Sequence, residues 1–435
     1  MGHKHFTINL LIDIINRGGS VRTGINIYNN QNDLVIRGKD PIRNINLLLV
    51  MKSKGIATLP ICPDDGGGVW AESGKMIHTP DISPSQPDDG LNKSTKVEEV
   101  IKNIIETKKE ADIKFKKAKK CISKVLSDIK ETGGEFDYNQ VQETISDLLD
   151  FMNQNESPFS LITKEIFSYD DYLYNHSINV CTIATPVIKY FMESFGDETD
   201  CNYPEKLQDI SIGYFLHDIG KVLLSHEVVN KKGRLTDEEF EIIKTHSINL
   251  GLQVFEKNKI SNRFVLDSAE FHHAAVFTDE WRCYPETKSP EQIPPYVKVC
   301  KMADIYDAMT SKRCYKEAFN PVNVVNDLYN QYSGKNRVLQ LVMYSFFNVV
   351  GIYPPGSIIS FTNGQMAYVI KGKGPIAIPF TDSCTEPLHQ VVDPVDISDQ
   401  GQTDKRLEIN RKSPIISPID IYNKLPSDLR DMIFG

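Results

Sequence analysis

A mainly α-helical protein is what the sequence predicts, with a small α/β module in front of the helices, a long connecting helix, and a β-hairpin extension behind. Three patterns carry this expectation. Apolar residues at Val97, Ile101, Ile104, Ala111, Phe115, Ala118, Ile122, Val125 and Ile129 alternate steps of four and three, broken only where Lys108 takes one slot. From residue 157 to about 350 the apolar positions keep a helical period almost throughout. After Tyr353-Pro354-Pro355-Gly356 they change to short runs separated by turn residues.

Residues 1–62 read as the α/β module. Gly24 to Tyr28, the polar run 29–33 and Leu34 to Arg37 give strand, turn and strand, and Asp40-Pro41 opens a helix that carries Ile45 to Met51. Residues 63–94 are rich in Asp, Gly, Pro and Ser, too poor in apolar surface to order themselves, and read as a flexible linker. The heptad stripe occupies residues 95–132 and is a candidate dimer seam; the alternative is one amphipathic helix lying on the protein's own body. Gly133-Gly134 ends it, and Asp137 starts the next helix.

Residues 133–350 form the helical domain. One helix presents Val180, Ile183, Ala184, Val187, Ile188 and Phe191 on a face, with His176 near its beginning. Another starts at the capping box Thr236 to Glu239 and carries Phe240, Ile243 and His246. A third includes Leu266, Ala269 and His272-His273, and a fourth runs from Val297 through Asp304 and Asp307. In residues 351–397 strands are expected over Ser357 to Phe361 and Met366 to Ile370 about the turn Asn363-Gly364, with another hairpin near Pro375 to Phe380. Residues 398–435 are polar apart from a short helix near Ile419 to Ile433.

A formal net charge of −9 argues against a general binder of DNA or RNA, which recruits phosphates with a basic field. Any anionic substrate must be drawn by a local cluster. The eight cysteines are scattered without a C-x-x-C pair, so a structural zinc or redox motif has no support and a reducing cytoplasm fits. No run of about 18 apolar residues and no leader pattern suggests a membrane association, and Phe6 stands where myristoylation needs Ser or Thr.

The chemistry concentrates in Tyr214-Phe215-Leu216-His217-Asp218-Ile219-Gly220-Lys221, where an imidazole and a carboxylate end an apolar run. A lone His-Asp pair is more often a buried hydrogen bond than a ligand set. Here His176, His217, His246, His272 and His273, five of ten histidines, lie on successive helices together with Asp218 and Asp304. That many nitrogen and oxygen donors suit two divalent ions bridged by one carboxylate, an arrangement fitted to phosphate-ester hydrolysis. Asp307, one turn past Asp304, is a candidate to orient a ligand. His226 and His389 read as surface.

These residues carry a resemblance. His217-Asp218-Ile219-Gly220-Lys221, Lys232-Gly233-Arg234-Leu235-Thr236, Ile243-Lys244-Thr245-His246, His272-His273, Cys283-Tyr284-Pro285 and the run Ala303 to Lys316 together resemble the HD-GYP branch of the HD superfamily, bacterial cyclic di-GMP phosphodiesterases of second-messenger signalling. The likeness spans about 157–369, and it implies an HD-type helical bundle. It implies one metal on His176, His217, Asp218 and Asp304, and a second on Asp218, His246, His272 and His273, with Asp218 bridging and catalytic. It implies further that Lys221 steadies the scissile phosphate, that Arg313 and Lys316 hold the dinucleotide, and that Tyr284 packs near a guanine.

The implied reaction is metal-dependent hydrolysis of cyclic di-GMP to linear pGpG, and onward to GMP as an open second step, by a hydroxide bridging the ions. The alternatives are a phosphodiesterase for another cyclic dinucleotide and a sensor that binds without cutting; the complete donor set favours the enzyme. Iron or manganese above all suits the donors. Two ions per chain are expected rather than three, because Tyr172 stands where some relatives carry a third-site Glu; its phenol is expected to hydrogen-bond toward the site as a substrate contact. Where the family has Glu after the paired histidines and Gly before Tyr-Pro, this chain has Ala274 and Cys283, with a longer loop, 275–282, between.

Overall fold

The computed structural model describes residues 4–16, 20–28, 34–36, 38–42, 48, 58–70, 76, 91–154, 172–231, 233–311, 318–372, 375–389, 392, 394–397, 409–410 and 425–427; the side chains of 4, 5, 7, 9, 10, 13, 16, 28, 34, 35, 91–109, 172 and 173 lie outside that description. The chain divides into two compact units, Met1–Asn92 and Lys93–Gly435.

In the first unit β1 (Lys4–Thr7) runs straight into α1 (Ile8–Asn16), which buries Ile8, Leu11, Ile12 and Ile15 at helical spacing. β2 (Ser20–Arg22) is followed by β3 (Ile27–Tyr28) and β4 (Leu34–Ile36), the antiparallel pair expected from the sequence. The turn 29–33 between them, Arg37 and most of the helix expected after Asp40-Pro41 lie outside the described residues; Ile42 bridges Val21. β5 (Thr58–Ile61) pairs with β1, and β6 (Gly68–Trp70) pairs with β2. The last pairing corrects the expected start of the linker at residue 63: apolar Val69, in a Gly-rich run, is buried against the module's core, and the stretch from 77 to 90 lies outside the described residues.

Among the described residues, the regular structure of the second unit is helical except for one sheet. α2 (Leu91–Thr132) is a single helix, followed by α3 (Tyr138–Gln154). The expectation of a dimer seam fails for the second half of α2. Ala118, Cys121, Ile122, Val125 and Ile129 are buried in one core with Val141, Ile145 and Leu148 of α3, while Ala111 and Phe115 meet Phe151 and Met152. The reason is physical: burial of Ile122 alone contributes about 1.5–3 kcal/mol, and the chain's own α3 already supplies the covering surface. An exposed ion pair between Lys117 and Asp147 lies along the same contact.

α4 (Tyr172–Phe195) and α5 (Leu207–Leu216) form the centre of the domain. α5 is buried on every side from Ile210 to Leu216, as a segment without charge and apolar but for Ser211 and the Tyr214 hydroxyl allows. Around it lie α6 (His226–Val229), α7 (Asp237–Thr245), α8 (Gly251–Lys257), α9 (Arg263–Phe271), α10 (Pro295–Thr310), α11 (Pro321–Tyr332) and α12 (Arg337–Val350). The capping box of α7 is complete: Glu239 N donates to Thr236 Oγ1 (3.2 Å) and Thr236 N to Glu239 Oε2 (2.7 Å).

β7 (Ile358–Ser360), β8 (Met366–Lys371), β9 (Ile376–Pro379) and β10 (Val395–Asp396) make an antiparallel sheet in the order β10-β9-β8-β7. Gly364, at φ +91°, makes the turn between β7 and β8. The terminal helix expected near 419–433 lies almost wholly outside the described residues. Among those described, no helix is long and apolar enough to cross a membrane.

Candidate metal centre

α5 delivers His217 and Asp218 at its C-terminal end, where the chain tightens into a 3-10 turn (Ile219–Leu223). That turn packs against a short π-helical turn (His246–Leu250) that continues α7. Gly220 makes the approach possible: a Cβ there would lie 2.0 Å from the carbonyl oxygen of His246. The glycine in the motif thus seats one donor segment against the other. α4 brings His176, the end of α9 brings His272 and His273, and α10 brings Asp304 and Asp307.

Two donor groups result, His176, His217 and Asp304 in one, and Asp218, His246, His272 and His273 in the other; the ligand atoms within each lie within 4.8 Å of one another. Asp218 spans both. Its Oδ2 is 3.3 Å from His176 Nε2 and 3.6 Å from His217 Nε2, while Oδ1 is 3.2 Å from His246 Nε2 and 3.4 Å from His272 Nε2. His176 Nε2 is also 3.3 Å from Asp304 Oδ1, and His273 Nδ1 is 3.9 Å from Asp304 Oδ2.

The ring orientations follow from what the other nitrogen does. Nδ1 of His217 faces the carbonyl of Tyr214 at 2.8 Å, Nδ1 of His246 that of Ile243 at 2.6 Å, and Nδ1 of His272 that of Ala269 at 2.9 Å. A carbonyl only accepts, so each Nδ1 carries the proton and each Nε2 turns a lone pair inward. His246 Nε2 and His272 Nε2 then face each other at 3.3 Å with Asp218 Oδ1 beside them. Three electron pairs converging in a buried space repel one another unless a cation lies between. His217 Nε2 and Asp218 Oδ1 are buried with no hydrogen-bond partner, a costly condition that a divalent ion would relieve. The donor set fits metal.

Asp307 is not the solvated helix charge it could have been. It is buried and its Oδ2 takes the Nδ1 side of His176 at 2.7 Å, while Oδ1 accepts from Asn179 Nδ2 (2.8 Å) and Ser311 Oγ (2.9 Å). It therefore fixes the ring of His176. Asn179 and Ser311 were not legible as site residues in the sequence; their i, i+3 and i, i+4 offsets from His176 and Asp307 are the signal that was there to read.

The electrostatics agree with a cation site. Burial pushes His217 down to about 3, and burial likewise lowers His246 and lowers His273 strongly. Burial opposes ionisation of Asp218, but the Lys221 ammonium beside it outweighs burial and the carboxyl is held well below the usual range. Burial opposes Asp304 in the same way, and His176 overrides it. Burial also disfavours a charged His176, yet Asp218, Asp304 and Asp307 around it raise it well above an ordinary histidine.

Lys221 Nζ lies 2.5 Å from Asp218 Oδ2, with a fifth of its side chain exposed. Tyr284 is buried, its ring centroid 4.8 Å from that of His273, so it walls the histidines of the second group. Arg313 and Lys316 lie outside the described residues, as does the side chain of Tyr172 at the start of α4. His226 and His389 are exposed, away from both donor groups. The departures in the loop have a partner that the sequence did not reveal. Lys301 of α10 donates to the carbonyl of Ala274 (2.8 Å), lies 3.4 Å from Cys283 Sγ, and forms a buried ion pair with Glu280 (2.8 Å). Glu280 also accepts from Val276 N (2.8 Å) and the hydroxyl of Tyr332 (2.9 Å).

Residues 173–309 match the family model described as HD domain. A Pseudomonas aeruginosa protein named cyclic di-GMP phosphodiesterase PA4108 is 28% identical over 243 residues, 54% of this chain and 54% of that protein. The cyclic di-GMP phosphodiesterase response regulator RpfG of Xanthomonas campestris pv. campestris is 31% identical over 130 residues, 29% of this chain and 33% of that one. A 3'3'-cGAMP-specific phosphodiesterase 2 of Vibrio cholerae serotype O1 is 28% identical over 118 residues, 27% of this chain and 22% of that one. The chain thus spans about half or less of the length of these relatives.

Proposed function

We propose that this chain, whose helical domain is an HD domain of the HD-GYP type, is a metal-dependent phosphodiesterase that opens cyclic di-GMP to the linear dinucleotide. The observation that carries the reading is the carboxylate of Asp218, which turns one oxygen to each donor group at 3.2–3.6 Å. In this reading His176, His217 and Asp304 would hold one divalent ion, iron or manganese, and His246, His272 and His273 a second, and bound there they would supply Lewis acidity toward water and the phosphate. Asp218, with one oxygen facing each group, would serve both. Asp307 holds His176 in position, and backbone carbonyls hold His217, His246 and His272. Lys221, steadied by Asp218 and still partly open, offers its ammonium to a non-bridging phosphate oxygen. Arg313 and Lys316, outside the described residues, would by the family resemblance hold the phosphates of the dinucleotide. His273, a quarter exposed on its side chain, marks where the diester reaches the buried donors.

The likeness to the Vibrio protein named for 3'3'-cGAMP favours one second reading, a preference for that mixed dinucleotide. Both readings meet in one assay. The purified chain, loaded with manganese or, without oxygen, with ferrous iron, is given cyclic di-GMP and 3'3'-cGAMP, and products are followed by chromatography. Accumulation of pGpG from cyclic di-GMP supports the first reading, and faster loss of 3'3'-cGAMP the second. Tight binding of cyclic di-GMP without turnover by the metal-loaded protein would make it a sensor.

A further inference from the structure

The loop 275–282 carries Trp281, which is 82% exposed, although the loop that presents it is firmly anchored. Its neighbour Glu280 is pinned by Lys301, by the backbone of Val276 and by Tyr332. Asp279 and Arg282, on either side of Glu280 and Trp281, both hold left-handed backbone conformations, at φ +64° and +61°. Non-glycine residues adopt these at some energetic cost, and such strain persists where the surrounding contacts over-determine it. The loop therefore holds a large apolar ring in water, against the usual tendency to bury it.

The surroundings say what the ring is for. The guanidinium of Arg282 lies over the Trp281 ring, 4.8 Å from its centroid, and over Phe240 at 5.1 Å. Phe240 meets Tyr284 edge to face at 5.8 Å, and Tyr284 lies on His273 at 4.8 Å. A continuous row of π surfaces and one cation thus leads from the second donor group to Trp281. Trp281 stands three positions before Tyr284, at most about 11 Å of chain, a span within reach of a dinucleotide whose phosphate sits at the donor groups. An exposed indole backed by a guanidinium is suited to stack a nucleobase, which every purine offers as a flat face.

We propose that Trp281, backed by Arg282, is a stacking platform for a purine base of the cyclic dinucleotide, which fixes the base side of the substrate while the metals take the phosphate. The proposal rests on the phosphodiesterase reading and adds a specificity residue to it. Trp281→Ala is expected to raise KM for cyclic di-GMP about tenfold, the loss of one stacked base, and to lower by the same factor the preference for cyclic di-GMP over bis(p-nitrophenyl) phosphate, which has no purine. Trp281→Phe should restore most of both.

The chain has two tryptophans, Trp70 and Trp281, so in Trp70→Phe the fluorescence reports Trp281 alone, and cyclic di-GMP should quench it whether or not the diester is cut. Unchanged KM in Trp281→Ala with intact turnover, or no quenching at saturating dinucleotide, overturns the platform and leaves the phosphodiesterase standing. If Trp281→Ala instead loses metal, the residue is structural and the platform falls. A chain that neither binds nor cuts cyclic di-GMP removes both proposals together.

Discussion

The two donor groups are built from the same residue types, and His217 of the first is held by its own preceding turn at 2.8 Å as the histidines of the second are, but one ring of the first is held differently. In the first, the ring of His176 is oriented by a side chain, Asp307, brought from α10 across the domain at 2.7 Å. In the second, His246 and His272 are oriented by carbonyls of their own preceding turns, at 2.6 and 2.9 Å. A ligand fixed by a distant carboxylate can be loosened by one substitution that leaves the helix intact. A ligand fixed by its own backbone yields only when the backbone moves. The first group is also wholly enclosed apart from the edge of Asp304, whereas the second ends in the quarter-exposed His273. The first is therefore the group whose affinity a mutation can tune, and in the proposed reading the second is the one open to substrate.

Substitutions order themselves along this difference. Asp218→Ala should abolish it, since both groups lose a donor at once: turnover is expected to fall below about one-thousandth, with both ions lost. Elemental analysis that still finds two ions per chain would contradict the bridging role. Gly220→Ala should come next, by way of the backbone. With a Cβ placed 2.0 Å from His246 O, the His246 turn must shift, at roughly 1–3 kcal/mol of stability, and the second group should lose metal before the first. A thermal midpoint and metal content equal to the parent's would show that the close approach is not needed.

Asp307→Ala sharpens the contrast from the other side. Only the first group should weaken, by about 10–100-fold in metal affinity, with the second group's titration unmoved; equal weakening of both would deny the division. Smallest is His273→Ala. Water can replace a partly exposed ligand, so about tenfold or less in affinity is expected, confined to the second group. A loss as large as that of Asp218→Ala would mean that His273 is as enclosed as the rest.

Much of this site is legible in the amino-acid sequence. The order of His176, His217-Asp218, His246, His272-His273 and Asp304 on successive helical segments follows from apolar period and capping signals such as Thr236 to Glu239, because these are local rules that a helix obeys wherever it is packed. The hairpin about Asn363-Gly364 is local in the same sense. What pairs over long distance is not legible. β1 with β5 and β2 with β6 join residues some fifty apart, and nothing in either short run names its partner. Glu280 and Lys301 belong to the same class: each has the look of an ordinary surface charge in the sequence, and the fold buries them together at 2.8 Å.

The long helix α2 marks the boundary between the two kinds of knowledge. Its stripe from Val97 to Ile129 determined that one face of a helix would be covered, since a period near 3.5 places those side chains together. It could not determine by what. A second copy of the chain and the neighbouring α3 offer the same apolar surface, and from Ala111 onward the fold chose α3. The sequence likewise named Asp218 as a donor, but an Asp has two equivalent oxygens and the sequence is silent on where each points. Only the packing of α5 against α4 and α9, with the His246 turn set against the turn that follows α5, turned Oδ2 toward His176 and Oδ1 toward His246 and His272, because a side chain's direction is set by the walls around it, and those walls come from residues far away in the chain.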